Sequence, residues 1–194
     1  MVKGLFSPFS LQLDLQTGVF LPCNNHIQRH LSDMAAMYSD QEAVQRLLAE
    51  GDPLLYEVYQ YDVPAENGQL LVVTSIIHRG KVGDEYYMTK GHYHARKDTA
   101  EVYLGLQGRG CLLMQTTEGD FQSTQFGPST VGYIPPYWAH RMVNTGQADF
   151  IFYGVYPADA GHDYGSIETT GFPYLVLERD GQPAFVVNPS YGRP

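Results

Sequence analysis

The chain has 194 residues, 43% hydrophobic and 17% charged, enough to close one domain around a substantial core. Its formal net charge of -9 excludes a broad nucleic-acid surface, which needs clustered lysine and arginine, but leaves room for one phosphorylated small molecule held by N–H groups, hydroxyls and a cation or two. No apolar run approaches the roughly 20 residues that span a bilayer, and the opening MVKGLFSPFSLQLDLQTG lacks a signal peptide's apolar core, so a cytoplasmic protein without a membrane partner is expected.

In chain order, Ser39-Asp40-Gln41-Glu42 has the form of a capping box. Apolar Ala43, Val44, Leu47 and Leu48 follow, and Gly51 and Pro53 close the segment, which predicts one short amphipathic helix. The pattern then changes to short runs rich in Val, Ile, Tyr and Phe between Gly, Pro, Asn and Asp. Strands are predicted at 54–62, 70–78, 100–108, 110–120, 130–135, 140–144 and 149–157, with two more near 174–178 and 184–187. Many short strands with turns such as QGRG (107–110) indicate an all-β antiparallel sandwich or barrel. The alternating helices of a doubly wound fold are not visible. Residues 1–53 read as an arm carrying the short helix, packed on a barrel of residues 54–194. Cys23 and Cys111 stand far apart and read as two idle thiols, not as a disulfide.

The chemistry is concentrated in a few residues. TKGHYH (89–94) places His92 and His94 at i and i+2, which share a face on a strand and diverge on a helix. Two imidazoles on one face supply half of a metal's inner ligands, although a pair of surface histidines beside a turn would look the same. Glu101 and Tyr103 alternate with apolar Val102 and Leu104, so carboxylate and phenol share a strand face. A buried carboxylate needs a cation unless it sits in water. His140 opens another strand after IPPYWA, whose prolines constrain the backbone; alone it would read as a satisfied core histidine.

Together, HxH, a glutamate and a glycine seven positions on (His92, His94, Glu101, Gly108), followed by PxxxxHxxxN (Pro135, His140, Asn144), resemble the two motifs of the cupin superfamily. The common form has three or four residues between the second histidine and the glutamate. Here there are six, ARKDTA, and Tyr137 stands where a glycine is usual. The blocks TKGHYHA, AEVYLGLQGRG, YIPPYWAHRMVN and YPADAGHDYG together resemble the cupin-type glucose-6-phosphate isomerases first known from archaea, from about Leu70 to the C-terminus.

The resemblance implies a double-stranded β-helix, or jelly-roll barrel. It also implies one divalent transition metal per subunit on His92, His94, Glu101 and His140. A set of three nitrogens and one oxygen suits Fe2+, Mn2+, Ni2+ or Zn2+ and leaves coordination positions open. The implied substrate is a sugar phosphate, interconverted between glucose 6-phosphate and fructose 6-phosphate. Two routes stay open: proton transfer through an enediol with Glu101 as base, which a carboxylate at the site favours, or direct hydride transfer between the carbons. By the same resemblance Ser75, Thr89, Gly91 and Tyr156 bind the phosphate. Tyr56 contributes to the site, reaching a partner's if the arm exchanges between subunits. Tyr103 touches sugar or orients Glu101, and His162 handles a proton at the ring oxygen. His26, His30 and His78 belong to no block and read as structural. Other readings are another metal cupin, such as a mannose-6-phosphate isomerase or a dioxygenase, and a non-enzymatic sugar-phosphate-binding cupin. Exposed sheet edges and the arm make a homodimer the expected assembly.

Overall fold

The structure, a computed structural model, describes residues 6–192. In chain order its elements are β1 (Gln12–Leu13), β2 (Phe20–Leu21), β3 (Asn25–His30), two short 3-10 turns, α1 (Gln41–Glu50), β4 (Leu54–Tyr61), β5 (Leu70–Ile77), β6 (Lys81–Val82) and β7 (Glu85–Tyr86). Next come β8 (Glu101–Gln107), β9 (Gly110–Gln115), β10 (Phe121–Phe126), β11 (Val131–Ile134), β12 (Ala139–Asn144) and β13 (Phe150–Pro157). The chain closes with α2 (Gly165–Thr170), β14 (Tyr174–Arg179) and β15 (Gln182–Val187).

Antiparallel pairing organises these strands into a six-stranded sheet in the order β11-β8-β13-β5-β4-β3, a three-stranded sheet β10-β9-β12, and smaller sheets β15-β14-β7-β6 and β1-β2. The core lies between the two larger sheets. Phe150 and Phe152 of β13 meet Phe126 of β10 and Tyr103 of β8, and Leu112, Leu113 and Met142 are fully buried with them. Alternation along β8 does what the sequence predicts: Glu101, Tyr103 and Gly105 face inward while Val102 faces out. This is the all-β cupin barrel, built as two antiparallel sheets closed over one apolar layer.

Several boundaries differ from the sequence reading. The cap of α1 is Asp40, whose side chain accepts from Ala43 N at 2.9 Å; Ser39 instead donates its N–H and hydroxyl to buried Glu85, each at 2.9 Å. The run 110–120 stops at Gln115, because Thr116 N bonds Asp120 O across a turn, and β10 follows as a strand the sequence did not reveal. Its middle residues QSTQ are exposed, so no apolar alternation marks it. Strand β3, inside the predicted arm, pairs with β4 along nearly its whole length and forms the edge of the large sheet. The helix α2 has no side-chain cap and was not predicted.

The motif glycine and asparagine have physical reasons. Gly108 has φ +72, and a Cβ there would sit 2.3 Å from Asp149 O. Asn144 spends its amide on the carbonyls of Ile77, His78 and Ala148 and accepts from Gly146 N, tying β12 to two loops. Tyr137 has φ 71, a left-handed conformation that costs a non-glycine residue about 1 kcal/mol. Hence a glycine is usual there. Tyr137→Gly is expected to raise stability by about 1 kcal/mol, read as a rise in thermal midpoint of a few degrees; an unchanged or lower midpoint would show that the exposed ring contributes contacts worth as much as the strain.

Candidate metal centre and substrate pocket

The two histidine motifs meet because the HxH segment runs antiparallel to β12. His92 N bonds His140 O at 3.2 Å and His140 N bonds His92 O at 3.0 Å, which places both rings at one end of the barrel, centroids 4.5 Å apart. Residues 92 and 93 are isolated bridge residues and not part of a regular strand, yet the local extension lets His92 and His94 share a side. Glu101, first residue of β8, completes the group. One donor atom from each of His92, His94, Glu101 and His140 lies within 4.8 Å of the others.

Second contacts orient the rings. His94 Nδ1 lies 2.7 Å from Thr99 Oγ1, whose own hydroxyl donates to Arg96 O at 2.7 Å. The Thr99 oxygen can therefore only accept from His94, so the proton sits on Nδ1 and Nε2 keeps its lone pair. That Nε2 stands 3.1 Å from Glu101 Oε2. His140 Nε2 is 3.0 Å from the same oxygen but poorly aligned for a hydrogen bond, and both of its nitrogens are buried without a hydrogen-bond partner. Orphaned buried nitrogens are costly, and three nitrogens with one carboxylate oxygen fit a divalent transition metal. Burial alone would raise the Glu101 carboxyl; positive charge and hydrogen bonds from His140 and His94 outweigh it and hold the group at about 2, a role that a cation on their ring lone pairs would take over. Burial, with the neighbouring histidines, pushes His92 well below the usual imidazole range, leaving it neutral and able to donate a lone pair.

The six-residue spacer ARKDTA thus has a purpose, since it carries Thr99. It also meets the other departures from the common motif. Tyr137 N bonds Lys97 O at 2.7 Å, Arg96 N bonds Ala160 O at 2.8 Å, and the Arg96 side chain pairs with Asp159. The longer loop is anchored to Tyr137 and to the 157–163 segment that delivers His162.

A cavity of about 170 Å³ opens beside the four residues, lined by Ser75, Thr89, Gly91, Tyr103, Tyr156, His162 and Tyr56 among others. All the sequence-predicted site residues except His94 line it, and His94 stands behind in the cluster. Tyr56 lines this chain's own cavity, so no exchange of the arm is needed to bring it there. Thr89 Oγ1 accepts from Met142 N at 3.1 Å, which leaves its O–H free to donate. Arg141, buried on β12, directs Nε and Nη2 to Lys90 O at 3.2 and 2.6 Å. In a trans peptide the next N–H points the opposite way, so the Gly91 N–H is turned away from the Arg141 guanidinium, and Gly91 itself lines the cavity. Gly91 has φ +73, and an added Cβ would meet Arg141 Cβ and His140 O at 3.0 Å. Burial, joined by the Glu101 charge, pushes the Tyr103 phenol well above its ordinary range; it stays protonated. The His162 ring lies 4.3 Å from that of His92 and is stacked with Tyr164.

His26, His30 and His78 stand elsewhere. His26 Nε2 is 2.7 Å and His78 Nε2 3.3 Å from Glu57 on the outer side of the sheet, and His30 Nδ1 is 2.8 Å from Asp52 O. Cys23 and Cys111 are free thiols. The sequence reading missed Thr99, Arg141, Lys90 and Arg29 as residues of the site. Thr99 could have been sought as a hydroxyl beside the histidine pair; the others carry no signal in spacing.

Three histidines and a glutamate converging inside a closed antiparallel barrel define the chain as a cupin whose clustered side chains could hold a metal ion. Residues 28–188 match the family model described as glucose-6-phosphate isomerase. The chain is 49% identical over 184 residues to the glucose-6-phosphate isomerase of Thermococcus kodakarensis, covering 95% of this chain and 96% of that one. It is 47% identical to that of Pyrococcus abyssi, covering 95% and 97%. An oxalate oxidase solved with the substrate analogue glycolate shares the fold alone, with TM-score 0.50 and 12% identity over 60% of this chain and 58% of that one. The chain belongs to the glucose-6-phosphate isomerase family, and it is an isomerase. No helix among the described residues is long and apolar enough to cross a membrane.

Proposed function

We propose that the cavity binds a hexose 6-phosphate and interconverts glucose 6-phosphate and fructose 6-phosphate beside the His92, His94, Glu101 and His140 cluster. The observation that carries this reading is one small cavity lined both by His92, Glu101 and His140 of the histidine and carboxylate cluster and by the donors Thr89, Gly91 and Ser75. The four clustered residues would hold one divalent ion, Fe2+, Mn2+, Ni2+ or Zn2+. When bound, such an ion stabilises negative charge developing on the sugar oxygens.

The chain's own residues do the rest. Thr89, Gly91, Ser75, Tyr56 and Tyr156 donate to the phosphate and fix the sugar's far end, which turns the chemical step into one between positioned groups. His162, at the cavity mouth, exchanges a proton with the ring oxygen as the ring opens. Glu101, held ionised, takes the proton from C2 and returns it to C1, while the hydroxyl proton of O2 passes to O1, so that an enediol stands between the two carbon transfers. Protonated Tyr103, on the same strand face, donates to the sugar or to Glu101 and keeps it aimed. Exposed Val131 and Tyr133 on edge strand β11 support a homodimer as the working form.

A coupled assay with fructose 6-phosphate, run after chelation and again after adding back each metal, tests the reading. Activity is expected to vanish with the metal and return with at least one of the four ions; full activity after complete metal removal would refute it. In the reverse direction, glucose 6-phosphate deuterated at C2 is expected to release label to solvent, and complete retention would replace the enediol route by hydride transfer.

A further inference from the structure

We infer that Arg29, on edge strand β3, is a phosphate-recognition residue and the group by which the enzyme prefers phosphorylated to free sugars. This inference rests on the proposed isomerase reading and adds to it a residue from outside the motif blocks.

The register places it. Arg29 pairs with Tyr56 and Ile27 with Val58, and on the next strand those two pair with Ile77 and Ser75. Arg29, Tyr56 and Ser75 therefore share the concave face of the sheet, and Arg29 lines the cavity with Thr89, Lys90 and Gly91. Glu101 enters the same cavity from β8, which is separated from β3 by three strands, β13, β5 and β4. Cation and carboxylate thus approach from opposite sides, which sets a direction for an extended sugar phosphate: reacting carbons toward Glu101, phosphate toward Arg29.

Charge bookkeeping singles out this residue. The cavity must admit a dianion into a chain of net charge -9, beside an ionised Glu101, and hydroxyls and N–H groups carry no net charge to offset it. Two other cations stand near. Lys90 Nζ is bound to Glu168 at 2.9 Å and lies over the Tyr164 ring. Arg141 is committed to the Lys90 carbonyl. The ion pairs formed among the described residues within 4.0 Å do not include Arg29; its guanidinium reaches the Gln28 carbonyl at 3.4 Å. An unneutralised guanidinium, half-buried and facing a cavity with oxyanion donors, offers the fork that a phosphate takes in bidentate fashion.

The test uses the metal-loaded chain and reads KM for fructose 6-phosphate, kcat, and the inhibition constant of inorganic phosphate for Arg29→Ala, Arg29→Gln and Arg29→Lys. Arg29→Ala is expected to raise KM and the phosphate inhibition constant together by about 10-fold to 100-fold, the loss of a charged hydrogen-bonding group, with kcat within about threefold. Arg29→Lys should recover part of both. Arg29→Gln keeps length and hydrogen bonding while removing charge, so it reads the same effect if the alanine variant folds poorly. Unchanged KM and phosphate inhibition, or a fall in kcat alone, would overturn the inference. Failure of the unsubstituted, metal-loaded chain to convert fructose 6-phosphate would instead sink the isomerase reading beneath it.

Discussion

His140→Ala is expected to yield a folded chain that no longer retains a divalent metal through purification and has lost about a thousandfold or more of its isomerase rate. The magnitude follows from the several kcal/mol that a bound cation contributes to a charged transition state, each 1.36 kcal/mol being tenfold. The loss should be concerted because of where His140 sits. Its backbone locks the HxH segment in place through paired bonds to His92, and its ring approaches those of His92, His94 and Tyr103. Its buried nitrogens have no hydrogen-bond partner that could explain them structurally. Removing the ring leaves two imidazoles and a carboxylate, one short of the set that the cluster presents. The backbone bonds remain, so the barrel should still melt cooperatively. His26→Ala supplies the control: that ring lies on the outer side of the sheet against Glu57, and the variant should keep its metal and its rate. Elemental analysis and the coupled assay on the same preparations decide the matter. Full metal content in His140→Ala would remove the residue from the centre.

What the sequence revealed and what it hid divide along physical lines. Strands β5, β8 and β13 were legible because one face of each meets the core and the residues alternate or run apolar accordingly. His92, His94, Glu101 and His140 were legible because metal ligation demands particular atoms at particular spacings, a constraint that few other roles impose. Strand β10 was hidden by its solvated middle, and β3 by polar residues such as Gln28, Arg29 and His30 that do not read as a buried strand. Arg141 was hidden differently. Every residue of β12 is buried, so alternation gives no hint that a guanidinium there reaches a carbonyl in another segment. The departures from the common cupin motif proved informative in combination: the six-residue spacer and Tyr137 are hydrogen-bonded to one another, so each is understood only once the other is in place.

Glu101→Gln is expected to separate the two mechanistic routes. The amide matches the carboxylate in size, which matters at a site only 3% exposed, and its carbonyl can still face His94 and His140. The variant should therefore fold and keep a metal on three histidines, though with weaker affinity once the charge is gone. What it lacks is a group able to take a proton. If Glu101 is the base, kcat should fall by about 10²-fold to 10⁴-fold, the usual worth of a positioned general base, while KM changes little because the phosphate contacts lie on other strands. If hydride passes directly between the carbons, the carboxylate is only a ligand, and with metal restored to saturation the rate should return to within about tenfold of the starting enzyme. Isotope fate makes the distinction sharper than rate. Glucose 6-phosphate deuterated at C2 should lose label to solvent with the unsubstituted chain, whereas any residual turnover by Glu101→Gln should hold its label, since the carboxylate that would exchange it is gone. Label lost equally from both would identify another residue as the base, and His162, which burial pushes below the usual imidazole range and so leaves able to accept a proton beside the His92 ring, would be the first to substitute next.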